Sequence, residues 1–470
     1  MSRLAGVYPT ELDGGLGIAA PGGDGARALV GVSSGGVANQ VLSFADPDDA
    51  RSVLGVGPLA RAVVDQLALG GGVVHAVPAG VGTPAAVTPD GANPAGPAVT
   101  LTGSATDRFS AVIRITRAGA LGVGAFAFSL DGGDTYSQEI ALAATYAIPD
   151  SGLTANFAAG AYVAGSLYRF EVSEPLPSVA TAQAAIRAAL GSGRVFEYVQ
   201  VVGGSGAAMW AALDALAAEA EAAFKYVYFV CETTAPGSDP DAWVTAQIAA
   251  KAAFSSIKVQ IIAAYGEVVD TLSGRVEVQS LASRIMARVS RNPVHVKASY
   301  RRLGALPGVV CAAPFVLDAQ NRKVSKFNNG HAKSLDEAGF TTVVTMEGRS
   351  GLYVEEDRMA APLTSDYTIA PNRRVMNKAK RLVREALLED VQGNLDPLEL
   401  EASTQSIVAR ANAPLKAMVR DREVSAARVA LVPGQNILSD SKLRLKVRIT
   451  PNGYAREIET EFAYENPFLG

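Results

Sequence analysis

Between residues 178 and 263 short β-branched runs alternate with Ala-rich helical ones, a pattern that dictates an open, mainly parallel sheet flanked by helices. The spacing predicts a helix over 178–190, with Ser178 as its N-cap and Gly191 as its stop. Strands follow at 196–202, 226–231 and 259–263, separated by helices at 207–224 and 241–254. The same texture opens earlier in the chain. Strands are expected at 28–32 and 40–44, then a helix reaching Leu54 and capped by Asp46-Pro-Asp-Asp. A second helix at 59–69 ends at Gly70-Gly-Gly, and a strand at 73–77 closes the unit. A helix is also expected over 279–291.

At 470 residues the chain exceeds one ordinary core, and 49% hydrophobic residues suit packed globular domains rather than disorder. A net charge of −4 lacks the basic excess of a nucleic-acid coat or membrane-surface protein. Cys231 and Cys311 stand far apart with no CxxC spacing, which excludes a disulfide scaffold and a Cys-based zinc site and fits a reducing compartment. The first 25 residues lack the basic and apolar regions of a signal peptide. The uncharged run 28–45 contains Ser33, Ser34, Asn39 and Gln40, so it reads as strand, loop and strand rather than a membrane span.

Residues 81–177 differ in texture. Pro84, Pro89, Pro94 and Pro97 form a linker, followed by alternating strands at 98–102, 110–117, 124–129 and 168–173 with no helical period. This is expected to be an inserted all-β, sandwich-like surface domain between the halves of an α/β domain, 26–80 and 178–340. In the C-terminal core, 341–455, a hairpin is expected over 341–346 and 351–356, then helices at 372–391 and 397–419. Strands at 443–449 and 457–462 are expected to pair through Pro451-Asn-Gly-Tyr. Residues 1–25, rich in glycine, and 456–470 read as extended arms. The fold class is therefore multidomain α/β (α+β), a mixed-sheet core with flanking helices, an all-β insert and two arms.

The run Ala28-Leu-Val-Gly-Val-Ser-Ser-Gly-Gly-Val-Ala-Asn-Gln-Val, the Asp-rich cap, Gly70-Gly-Gly and Val73-Val-His-Ala-Val resemble the N-terminal domain of contractile tail sheath proteins. Arg349-Ser-Gly-Leu-Tyr-Val-Glu-Glu-Asp-Arg-Met, the helix opened by Pro371-Asn-Arg-Arg-Val and the closing strands are similar to the order of elements in that family's core. The resemblance covers residues 25–80 and 340–470 best. It implies a non-enzymatic virion-tail subunit of a bacteriophage or related contractile injection system, assembled in the host bacterial cytoplasm. Such a subunit would form a helical polymer of stacked rings with itself. It would enclose an inner tail tube protein, meet baseplate and tail terminator proteins, and touch neither membrane nor nucleic acid directly. It also implies that both arms exchange strands with neighbours, and that contraction drives the tube through a target envelope without a cofactor.

The candidate sites follow. Ile458, Thr460 and Phe462 alternate with Glu457, Glu459 and Glu461, one apolar face against one acidic face, as in an edge strand that docks one way. With Tyr464, Phe468, Val7 and Tyr8 they form the inter-subunit strand-exchange set; the alternative is a strand in the chain's own sheet. Arg373, Arg374, Lys378, Lys380, Arg381 and Arg384 make the first half of the 372–391 helix basic, against its dipole. That suggests an acidic partner, the inner tube, or local pairs to Glu355, Glu356 and Asp357. Other readings are an α/β enzyme or nucleotide-binding protein, and a non-contractile structural or adhesin-like virion protein. Val201-Val-Gly-Gly-Ser-Gly sits where a phosphate loop would, but matches neither phosphate-binding fingerprint. Asp131-Gly-Gly-Asp reads as a turn before a calcium loop. His75, His295 and His331 have no metal-ligand spacing.

Overall fold

The computed structural model describes residues 23–464 apart from positions 92, 93, 95, 273 and 321. The first unit is β1 (Arg27–Gly31), β2 (Leu42–Phe44), α1 (Pro47–Leu54), α2 (Pro58–Gly70) and β3 (Val74–Pro78). Asp46 caps α1 by accepting from the Asp48 amide at 2.8 Å. After a β-rich segment come α3 (Val179–Gly191), β4 (Tyr198–Ser205), α4 (Ala207–Ala222), β5 (Tyr228–Thr233), α5 (Pro240–Lys251) and β6 (Val259–Ile262). Ser178 caps α3 in a reciprocal box with Thr181.

These strands form one sheet ordered β6-β5-β4-β1-β3-β2, parallel except for the edge pair β2/β3. Its near-continuous apolar runs are those of strands covered on both faces. Ala28, Leu29 and Val30 of β1 are fully buried, as are Phe229, Val230 and Cys231 of β5. Trp210, Leu213 and Ile186 cover the sheet from α4 and α3.

Residues 81–177 contain only strands among their described elements. Val99–Gly103, Thr145–Ile148 and Leu153–Phe157 make a three-stranded antiparallel sheet. Leu167–Val172, Phe109–Arg117 and Ala125–Ser129 form the middle of a five-stranded one. Leu167–Val172 alternates outward and inward at every residue, the period-2 signal of a half-buried strand. The segment has an apolar cluster of its own, including Ile113, Phe126, Tyr162 and Tyr168. Arg61 of α2 ties it to the α/β sheet through Asp107, at 2.7 and 2.8 Å.

Two expectations change here. Residues 276–280 form a strand (Val276–Ser280), and the helix expected from 279 begins later, as α6 (Ala282–Arg291). Alternation in Val276-Glu-Val-Gln-Ser overrides the helical period that follows it. At the C-terminus, α7 (Ala370–Leu387) and α8 (Leu400–Arg420) pack around Val375, Ala379, Ala411 and Leu415. The strand β8 (Leu445–Thr450) then pairs antiparallel with β7 (Ala426–Leu431), not with residues 457–462. The Asn-Gly turn signal misleads because Asn452 is used otherwise: its amide donates to the Arg422 carbonyl at 2.9 Å, and its Oδ1 accepts from Ser425.

Candidate assembly surfaces

After β8 the chain is fixed to the body at three points. Asn452 holds the end of α8, the Tyr454 hydroxyl donates to the His295 carbonyl at 2.6 Å, and Arg456 reaches Asp336 at 2.7 Å. Beyond Arg456 the chain leaves the surface. Residues 457–464 adopt no regular structure, and their main chain makes no hydrogen bond to the described residues. Ile458 and Phe462 are 83% and 91% exposed. The alternative of a strand in the chain's own sheet is thus overturned for 457–462. Phe468, Val7 and Tyr8 lie outside the described residues.

The β7/β8 pair forms a separate two-stranded sheet. An isolated hairpin is marginal in water, and among the described residues neither outer edge of this one is paired with a further strand. One face, with Val429 and Ile449, packs towards α7 and α8. Next to it Phe224, Met376, Val383, Val447 and Ile449 line a groove of about 480 Å³.

The basic half of α7 has partners within the chain, and they are not the three acids expected. Arg374 is 1% exposed; it binds Glu197 and donates to the carbonyls of Val289 (3.2 Å), Asn292 (3.1 Å) and Pro293 (3.3 Å). The guanidinium thereby caps the C-terminal end of α6, where positive charge is favoured. Burial opposes its charge, and Glu197 more than restores it. Lys378 and Arg381 both bind Asp24, at the root of the N-terminal arm, while Lys378 also binds Glu423 at 2.6 Å. Lys380 binds Glu221, and Arg384 lies 4.5 Å from the Phe224 ring centre. Arg373 is 2% exposed and faces Tyr367. The expectation of a tube-facing surface fails for Arg373, Arg374 and Arg381, which are buried. Glu356 pairs with Lys297 and Glu355 with Arg301, while Asp357 lies at the start of α7, its carbonyl accepting from the Ala370 amide at 2.8 Å and its charge acting on Arg374 without a direct ion pair. Charge sign was readable in the sequence; partners as remote as Asp24 and Glu197 were not.

A crevice of about 300 Å³ opens at the C-terminal ends of β4 and β5, where open α/β sheets bind ligands. The glycine run lies here, but the Gly203 amide that a phosphate would use donates to the Glu232 carboxylate at 2.7 Å. Gly203 has φ +103, and a Cβ on it would meet Leu176 at 2.5 Å, so the glycine serves a close approach of chain segments. Arg61 is committed to Asp107, Glu174 and Asp270. Burial pushes Glu232 up to about 7, with Glu174 adding to it and hydrogen bonds from Ser280 and Gly203 opposing.

Glu232 is therefore protonated in the folded chain over a range in which the unfolded chain is ionised. Folded-state stability is expected to fall as pH rises from 4.5 towards 7, by on the order of 3 kcal/mol from this residue. Glu232→Gln should remove that share of the slope in denaturant unfolding between pH 5 and pH 8. An unchanged slope would refute the assignment.

The remaining candidates are local. Burial works against ionisation of Asp131, but the hydroxyls of Ser129 and Thr135 and the Thr135 amide hold it down to about 2. His75 bonds Ser43 at 2.9 Å; burial, Arg194 and Arg27 lower it to about 4. His331 bonds Asp241 at 2.8 Å. Among the described residues no cluster of three or more His, Cys, Asp or Glu is placed to hold a metal, and no helix is long and apolar enough to cross a membrane.

Known structures share this arrangement along the whole chain. The sheath of the PVC extracellular contractile injection system, in its contracted state, matches with a TM-score of 0.55 at 11% identity, covering 99% of this chain and 98% of that one. The contracted helical sheath of the anti-feeding prophage matches with a TM-score of 0.54 at 13% identity, covering 99% and 100%. A chain from that prophage's baseplate structure matches equally, with a TM-score of 0.54 at 13% identity, covering 99% and 100%. The fold is that of contractile tail sheath proteins. The chain belongs to the DUF2586 family, whose N-terminal domain spans residues 4–358 and whose C-terminal domain spans 366–469. A comparison with curated proteins finds no match.

Proposed function

We propose that this chain is the structural subunit of a contractile tail sheath. It polymerises with itself into stacked rings around an inner tail tube, bounded by baseplate and terminator proteins. It shortens to drive the tube through a target cell envelope. The virion or prophage-derived tail is the place of action, and assembly occurs in the bacterial cytoplasm. The subunit works through its interfaces and carries no catalytic role; the energy of contraction resides in the assembly.

The observation that carries the reading is the arm at 457–464, exposed, without regular structure and free of main-chain partners among the described residues, in a chain that also offers an open two-stranded sheet. A strand added to such an edge gains main-chain hydrogen bonds worth about 1 kcal/mol each. Residues 81–177 are proposed to be an inserted domain on the outer surface, and 341–455 the core nearer the tube. The tube-facing role on α7 is carried forward for Lys378, Lys380 and Arg384, the three of the six that are not buried. Electron microscopy of the purified full chain tests the reading. Helical tubes or stacked rings are expected; separate single chains at every concentration would contradict it.

A further inference from the structure

The outer face of the β7/β8 sheet consists of Ala426, Arg428 and Ala430 from one strand and Lys446, Arg448 and Thr450 from the other, all exposed. Arg428 stands directly opposite Arg448, and like charges so placed across an antiparallel pair are destabilising. None of the three cations has an acidic partner among the described residues. Ala426 and Ala430 are too small to screen them. A strand added at an edge of this sheet would leave the face open, so the face calls for a partner of its own.

The chain carries the opposite charge where α7 joins α8. Residues 385–401 hold Glu385, Glu389, Asp390, Asp396, Glu399 and Glu401 and no Lys, Arg or His. Asp390 is paired with Arg410, and Asp396 accepts from the Leu398 amide at 2.8 Å. The four glutamates are exposed and have no cationic partner among the described residues. Glu399 and Glu401 stand at the start of α8, where negative charge is favoured, so they have a local reason. Glu385 and Glu389 stand at the end of α7, where it is disfavoured. Leu388, Val391 and Leu398 are exposed in the same loop. Both surfaces therefore carry charges that cost the lone chain stability.

Resting on the sheath-polymer reading, we infer that the α7–α8 loop of a second copy of this chain docks on the outer face of the β7/β8 sheet, its glutamates covering Arg428, Lys446 and Arg448. A second copy is the occupant because one chain holds both halves of the charge complement and uses neither internally. The contact joins two different patches, so it is heterologous and repeats from copy to copy along an open helix. Exposed charge pairs contribute little each, and Leu388, Val391 and Leu398 add apolar area to them. Arg428 with Arg448, and Glu385 with Glu389, are then recognition elements, unfavourable in the free subunit and neutralised in the polymer.

The test separates stability from assembly in full-length chains. Glu385→Lys/Glu389→Lys removes acids from the wrong end of α7, so its unfolding midpoint should equal or exceed that of the unmodified chain. The concentration at which it polymerises, read by sedimentation at low salt, should nevertheless rise on the order of tenfold. Arg428→Glu/Arg448→Glu should raise that threshold equally, and all four substitutions in one chain should return it to within about twofold of the unmodified protein. Silent charge variants, or a four-fold variant as defective as either pair, would overturn the inference. A defect confined to the arginine variant would assign the face to a different acidic protein and overturn it too. The unmodified chain separates the two claims. If it polymerises while the variants are silent, the loop contact alone falls; if it forms no polymer at any concentration, the sheath reading falls with it.

Discussion

A chain truncated after Arg456 is expected to remain folded and to lose polymerisation. The first half follows from what residues 457–464 lack: they form no main-chain hydrogen bond to the described residues, and their apolar side chains face solvent. Removing them takes nothing from any buried cluster, so unfolding midpoints should match those of the full chain. The contacts that seat the root, from Asn452, Tyr454 and Arg456, are retained. The second half follows from what the segment offers a neighbour. Burying Ile458 and Phe462 contributes roughly 1.5–3 kcal/mol each, besides the main-chain hydrogen bonds of an added strand. Polymers of normal length from the truncated chain, seen by sedimentation and microscopy, would contradict this.

The second large effect is expected inside the subunit. Arg374→Met should destabilise the fold by about 3–5 kcal/mol in denaturant unfolding, because Glu197 is left charged and buried without its partner. Three carbonyls at the end of α6 also lose their donor. Glu197 accepts from the Gly25 amide too, so the same change loosens the root of the N-terminal arm. The double variant Arg374→Met/Glu197→Gln should recover a substantial part of the loss, since no buried charge then stands alone. A single variant as stable as the unmodified chain would show that the pair does not hold α7 on the sheet.

These two cases mark what the sequence discloses and what it hides. The parallel sheet was legible because β1, β4, β5 and β6 are continuous apolar runs between capped helices. The expected helices over 372–391 and 397–419 correspond to α7 (Ala370–Leu387) and α8 (Leu400–Arg420). The strand β7 (Ala426–Leu431) is hidden in the sequence because three of its six residues are alanine, which carries little strand preference. With that partner hidden, the Pro451-Asn-Gly signal reads as a hairpin, whereas Asn452 fastens the chain to the end of α8. The basic half of α7 was visible as composition. Its meaning depended on Asp24 and Glu197, far away in the chain, and no local pattern carries such a pairing.

The most direct measurement of the central claim is a reconstruction of the assembled full-length protein at side-chain resolution. The account predicts a further strand on the two-stranded sheet of Ala426–Leu431 and Leu445–Thr450, belonging to a neighbouring copy. An open β8 edge within the assembly, or an arm folded back onto its own subunit, would contradict it.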